Sequence, residues 1–390
     1  MSVLDSPGPG LEAHPAEPAQ PSEAPKQASV LGQRRVVQLD FVRGIAILLV
    51  MEHHFLSVAP TNWVERIVEN FGRQTGWMGV DLFFVLSGFL VGGLLIQELQ
   101  RTQTIRVGRF LLRRMFKIWP GYYFYIFFEI VIHRHPLHTF LWQNLLNVQN
   151  YTGSSLLHTW SLSVEEHFYL LLPVTLLLIY RSPGLRRWTP HILLSLCLLV
   201  LCGRVLSVYH SGIGDVPLET HTRLDGLLFG VFLSYLLYMA RKTFDRLLEY
   251  RVLWALLTVL VFTLAMIFNN LSTYMITFGY TVNYLCLSAL LLLVYGYHGR
   301  LTATAAYRAM AWIGRYSYGI YLWHMSVRSP VESVVRHLPV SLQWYFLTGG
   351  QYLAAIVLGV IVTKAIEFPM LRLRDRQFPR GAAQLPPAVP

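Results

Sequence analysis

Between Leu39 and Ala59 the chain reads LDFVRGIAILLVMEHHFLSVA, an apolar run that also carries Asp40, Arg43, Glu52, His53 and His54. The run is long enough to cross a bilayer, where a charged side chain costs a few kcal/mol or more. Such groups are therefore kept for a purpose. Arg43 and His54 are separated by eleven helical steps, about three turns plus 20°, so they share one face about 16 Å apart. His53 is turned about 80° off that face. The spacing points to a reaction centre at His54, with Arg43 deeper on the same face. Histidine suits proton transfer because its ordinary pKa lies near neutrality. Arg43 can hold an anionic or carbonyl oxygen, or pair with a carboxylate, Asp40 being nearest.

Further candidates lie along the chain. Glu165 and Glu166 open a later apolar run. A carboxylate there can orient His54 through its second ring nitrogen, or the pair can simply favour a helix N-terminus. Arg109, Arg113, Arg114 and Lys117 form a basic segment ahead of Pro120; they can receive phosphates or set membrane orientation. Asp81 can close a polar network with the first helix. Ser87–Gly88 suits close helix approach, and Ser87 lacks the Gly-x-Ser-x-Gly setting of a nucleophile. Arg223 and Asp225 read as a pair at a span edge. Arg204 and Arg315 each call for a partner that the sequence does not name. His324 can share the His54 site, or pack within its aromatic neighbourhood. His158 and His167 read as loop or interface residues.

The elements that must position these groups follow from hydropathy. The 390 residues are 54% hydrophobic, concentrated in repeated runs of near membrane length, as in a polytopic all-α membrane protein. About ten spans are expected: 39–59, 78–99, from 118 to before His133, the run SLSVEEHFYLLLPVTLLLIY, 191–209, 224–240, 252–268, 274–297, 312–327 and 344–363. A polar, aromatic loop is expected between the first two. The net charge of +11 resides mainly in short loops after even-numbered spans, which orients both termini to the cytoplasm and points away from nucleic acid. His54 then lies toward the outer side. Cys197, Cys202 and Cys286 all fall in apolar runs; they read as buried thiols, with no disulfide framework and no metal-ligand spacing. The Pro/Ala-rich flanks 1–33 and 377–390 read as disordered cytoplasmic tails around a membrane domain at 34–376, without length for a second folded domain.

In that order and spacing, LDFVRGIAILLVMEHHF, GVDLFFVLSGFLVGGLL, RRMFKIWPGYY, TWSLSVEEHFYLLLPV, RLDGLLFG and SYGIYLWH resemble the landmarks of the acyltransferase 3 family of integral membrane O-acyltransferases. The resemblance implies transfer of an acyl group, most often acetyl, from cytoplasmic acyl-CoA. The acceptor it implies is a hydroxyl of a carbohydrate, a lipid-linked glycan or a glycosylated small molecule. It implies a bacterial cytoplasmic membrane and no permanently bound cofactor. Carried onto this sequence, it makes His54, Glu165 and Arg43 catalytic. Arg43, Arg114 and Lys117 become donor-binding. Asp40, Asp81, Ser87, Glu166, Arg223, Asp225 and His324 become supporting residues. Whether His54 removes the acceptor's proton or itself carries the acyl group stays open. The sequence departs from the family pattern at Lys117, where Arg is usual, at His167, where Gln is common, and in the extra polarity of Glu52 and His53. The rival class is a transporter or flippase for a lipid-linked sugar or small metabolite, since intramembrane His, Glu and Arg also build proton relays. Repeated halves and paired broken helices, which mark many transporters, are not evident in the sequence.

Overall fold

The computed structural model describes residues 36–378, apart from 134–136, 154–155, 215 and 269–271. Most of both expected tails therefore lies outside the described residues. Within them the chain is all-helical. The first half comprises α1 (Val37–His54), α2 (Trp63–Thr75), α3 (Met78–Thr102), α4 (Val107–His133), α5 (Leu137–Leu145), the one-turn α6 (Gln149–Thr152) and α7 (Trp160–Arg181). The one-turn α8 (Pro183–Arg186), α9 (Thr189–Ser211), α10 (Thr220–Met239), α11 (Arg241–Glu249), α12 (Arg251–Ile267) and α13 (Tyr280–Tyr295) follow. The chain closes with α14 (Ala305–Arg315), α15 (Ser317–Trp323), α16 (Arg328–Val335), α17 (Val340–Val362) and α18 (Phe368–Gln377).

Among the described residues, six helical stretches are long and apolar enough to cross a membrane: Met78–Thr102, Leu157–Arg181, Thr189–Ser211, Thr220–Met239, Met275–Tyr295 and Val340–Gln377. The pair α11–α12, bent by 71°, makes a seventh if it is one span. These make the chain a multi-pass helical membrane protein.

Several expected boundaries are corrected. The first helix stops at His54 rather than continuing to Ala59. At Phe55 the backbone turns extended, φ −72° and ψ 149°. There Gln351 of α17 grips the next residue from both sides. The Leu56 N–H donates to Gln351 Oε1 at 3.0 Å, and Gln351 Nε2 donates to the Leu56 carbonyl at 2.8 Å. The third span begins earlier than Ile118, because the basic segment from Arg109 to Lys117 forms the opening turns of α4 itself. The ninth is not one continuous helix. The helix breaks at Tyr316, resumes as α15, tightens to a 3₁₀ turn at His324–Val327 and continues as α16. Irregular backbone at membrane depth is tolerated where protein covers it, and His324 is fully buried.

The segment expected as a polar loop contains the amphipathic helix α2. Its start is a reciprocal capping box. Asn62 Oδ1 accepts from the Glu65 N–H at 3.0 Å, while Glu65 accepts from Asn62 Nδ2 and the Thr61 N–H, each at 2.6 Å. Trp63, Val64, Ile67, Val68 and Phe71 line its exposed apolar side.

Small residues set the closest helix crossings, as membrane packing requires. A Cβ at Gly88 of α3 would fall 1.9 Å from the Leu227 carbonyl oxygen of α10. One at Gly314 of α14 would fall 1.8 Å from the Asp40 carbonyl oxygen of α1. The second contact locks the helix carrying Arg43 and His54 against the segment leading to His324.

Candidate active site

Two polar clusters hold the histidine and the basic candidate residues. The first is built on the C-terminal turn of α1. His54 Nδ1 lies 3.0 Å from His324 Nε2, and His324 Nδ1 lies 2.6 Å from the Tyr321 carbonyl oxygen. A carbonyl only accepts, so His324 Nδ1 carries a hydrogen and its Nε2 is the acceptor. His54 Nδ1–H is then the donor, which leaves His54 Nε2 with the lone pair of a base. His158 closes the cluster. Its ring is 5.4 Å from that of His324, and its Nε2–H donates to the Leu322 carbonyl at 3.3 Å. Tyr321 O–H donates to the His158 carbonyl, and Ser161 Oγ lies 2.5 Å from the same hydroxyl. The break between α14 and α16 is what brings Tyr321, Leu322 and His324 to this point. Sequence reading placed His158 in a loop; it is buried here, and the aromatic run SYGIYLWH facing it was the available signal.

The second group lies among α1, α3, α4 and α7. Glu165 accepts from Ser87 Oγ at 2.6 Å and from the Tyr169 hydroxyl at 2.8 Å. The Arg114 guanidinium carbon stands 5.5 Å from the ring centres of both Phe110 and Tyr169. Arg114 and Lys117 interact electrostatically with Glu165 and with Arg43. Arg43 also bonds Asp40 at 2.7 Å. Glu166 accepts from Trp119 Nε1 at 3.4 Å. The expected bond from Glu165 to His54 is replaced by this arrangement: α7 presents Glu165 to the basic turns of α4 and to α3, while His324 meets His54. Ser87 thus has a polar partner beside its neighbour Gly88 at the tight α3–α10 crossing. This part of the interior is a basic chamber in which Glu165 faces both Arg114 and Lys117.

Arg223 and Asp225 do not pair with each other. Arg223 reaches Asp81 of α3, and its guanidinium sits 3.7 Å over the Tyr280 ring. Asp81 therefore bridges α3 to α10 and not to the first helix. Asp225 bonds Arg204 of α9 at 2.9 Å, and Arg204 also donates to the Thr222 and Thr277 carbonyls and the Thr281 hydroxyl. Helix geometry explains the exchange, because a two-residue step on α10 turns side chains about 200° apart, so residues 223 and 225 point to different neighbours. Arg315 stacks over Phe368, 5.4 Å from its centre. Arg113 bonds Asp375 of α18 at 3.0 Å. His167 touches the Thr220 hydroxyl at 2.7 Å.

A membrane-embedded helical bundle that brings a part-buried histidine pair and a basic chamber into one interior has the parts of a group-transfer protein. Residues 36–367 match the model of the acyltransferase 3 acyltransferase domain, and the chain belongs to that family. It is 28% identical over 370 residues to YrhL of Bacillus subtilis (strain 168), provisionally named a peptidoglycan O-acetyltransferase, covering 85% of this chain and 52% of that protein. It is 26% identical over 345 residues to the peptidoglycan O-acetyltransferase OatA of Listeria monocytogenes serovar 1/2a (strain ATCC BAA-679 / EGD-e), covering 80% of this chain and 53% of OatA. The chain thus spans about half the length of the curated relatives it matches. No solved structure matches it. Membership of this family does not favour the transporter reading.

Proposed function

We propose that the chain is a membrane O-acyltransferase that moves an acetyl group from cytoplasmic acetyl-CoA to a hydroxyl of a cell-wall glycan. The observation that carries this reading is the hydrogen-bonded order Tyr321 carbonyl, His324, His54, which leaves His54 Nε2 as the base. In the transfer the acceptor oxygen attacks the thioester carbonyl while His54 Nε2 takes the hydroxyl proton. The C–O bond forms, the C–S bond breaks, and the proton passes to the departing sulfur, giving the ester and coenzyme A thiol. Arg114, Lys117 and Arg43 hold the donor's phosphates and carbonyl, attracted by their joint positive charge. Glu165 keeps those cations paired while the donor is absent. The names of the Bacillus and Listeria relatives support peptidoglycan as the acceptor. The distribution of basic loops supports ten crossings of a bacterial cytoplasmic membrane, with both termini inside. The donor then enters from the cytoplasm and the acceptor meets His54 from the outer side.

The test is reconstitution of the chain in lipid vesicles with radiolabelled acetyl-CoA inside and a soluble peptidoglycan disaccharide outside. Coenzyme A release matched by labelled disaccharide ester is the expected result. Disaccharide movement without coenzyme A release would overturn the reading in favour of transport.

A further inference from the structure

Outside the histidine cluster, a cavity opens between the end of α1, the polar side of α2 and the first turns of α17. Glu52, His53, Glu69, Arg73, Trp344 and Thr348 are among the residues that line it. Its walls are fixed. Tyr352 of α17 donates to Glu52, and the Glu52 side chain fills the space where a Cβ on Gly72 would stand, 1.9 Å from its Cγ. Glu69 accepts from Ser57 Oγ at 3.1 Å and from Arg73. The Gln351–Leu56 clamp holds the floor, and the Asn62–Glu65 capping box holds α2 as a wall. His53 joins the cavity to the reaction centre, its ring centre 5.1 Å from that of His54.

We propose that this cavity seats one pyranose ring of the acceptor glycan. The seat rests on the acyl-transfer reading above and deepens it. The chemistry is that of a sugar site. Two carboxylates accept from adjacent ring hydroxyls, a guanidinium donates at the rim, and the Trp344 indole offers an apolar face to the ring's C–H groups. The apolar side of α2 and the exposed Tyr345 and Phe346 of α17 flank the mouth. The entrance therefore sits at the bilayer surface, where Trp and Tyr are enriched, and suits a glycan presented close to the membrane. It also gives Glu52 and His53, the two departures at the end of the first helix, a shared task.

The test is photo-crosslinking of the full chain in nanodiscs with a diazirine-bearing N-acetylglucosamine–N-acetylmuramic acid disaccharide, followed by peptide mapping. Label is expected on residues 52–57, 69–73 or 344–348. Glu69→Gln and Trp344→Ala are each expected to weaken half-maximal labelling about tenfold, the equivalent of one well-formed contact. Trp344→Phe is expected to retain most of it, which separates lost stacking from lost folding. Label elsewhere, no label, or label indifferent to both weakening variants would overturn the seat. Parallel acetyl-transfer assays on the same preparations keep the two ideas apart. Label here without any transfer removes the acyl-transfer reading alone, and transfer with label elsewhere removes the seat alone.

Discussion

His54 Nδ1 and His324 Nε2 lie 3.0 Å apart although the residues are 270 positions apart in the chain. The contact exists because α1 stops at His54 and the segment after α14 breaks around His324. Under the proposed mechanism it makes His324 a positioning residue for the base. His324→Ala should lower the acetyl-transfer kcat about a hundredfold, at the low end of what general base catalysis supplies, and leave the KM for acetyl-CoA unchanged. His324→Gln, whose side-chain carbonyl can accept from His54 Nδ1–H, should recover part of the rate. Steady-state kinetics and the pH profile of kcat check this. Equal losses in both variants, with an unaltered profile, would reduce His324 to packing.

Glu165 should matter to stability as well as to the donor. Its removal leaves the half-buried Arg114 and Lys117 with one fewer counter-charge and takes the acceptor from Ser87 and Tyr169, and a hydrogen bond to a charged group typically contributes about 1.5–3 kcal/mol. Glu165→Ala should therefore lower the thermal midpoint in detergent, with Glu165→Gln intermediate because it still accepts from Ser87 and Tyr169. A midpoint unchanged by Glu165→Ala would show that the chamber is solvated.

Much of this arrangement was legible in the residues, and the reasons for the exceptions are physical. The Arg43–His54 spacing and the ordered motifs located α1, α3, α4 and α7, because long apolar runs and helical periodicity are local signals. Partner choice was not local. Arg223 and Asp225 are two positions apart and invite pairing, yet the helix sends them to Asp81 and to Arg204 respectively. Glu165 could be read as orienting His54 or as favouring a helix N-terminus, yet its partners are Ser87, Tyr169 and the cations of α4. His324 was among the candidates, whereas His158 was not, since its burial depends on a contact with Leu322 far along the chain. α2 was missed although Asn62 and Glu65 stand at capping-box spacing, because the surrounding composition is that of a loop.

The Asp81–Arg223 ion pair should act as a coupled brace between α3 and α10. Asp81→Ala and Arg223→Ala should each destabilise the protein by about 3–5 kcal/mol, as for other broken buried pairs. The double variant should fall well short of their sum, since contacting residues are not additive. Chemical unfolding in mixed micelles measures the cycle. Full additivity would mean that the pair contributes nothing as a pair.

Close packing of α3 on α10 should tolerate no side chain at its centre. Gly88→Val places carbon atoms on the Leu227 carbonyl, where even a Cβ would be 1.9 Å from the oxygen. The monodisperse fraction after detergent extraction should collapse. The same substitution at Gly203, which has open space around it, should leave that fraction unchanged. Comparable size-exclusion profiles for the two variants would contradict the packing.

The base assigned to His54 is tested most directly by single-turnover acetyl transfer with purified wild-type and His54→Ala protein in nanodiscs, using labelled acetyl-CoA and the peptidoglycan disaccharide. His54→Ala should retain wild-type folding and acetyl-CoA binding while forming no acetylated disaccharide. Ester formation by the variant at the wild-type rate would contradict the assignment.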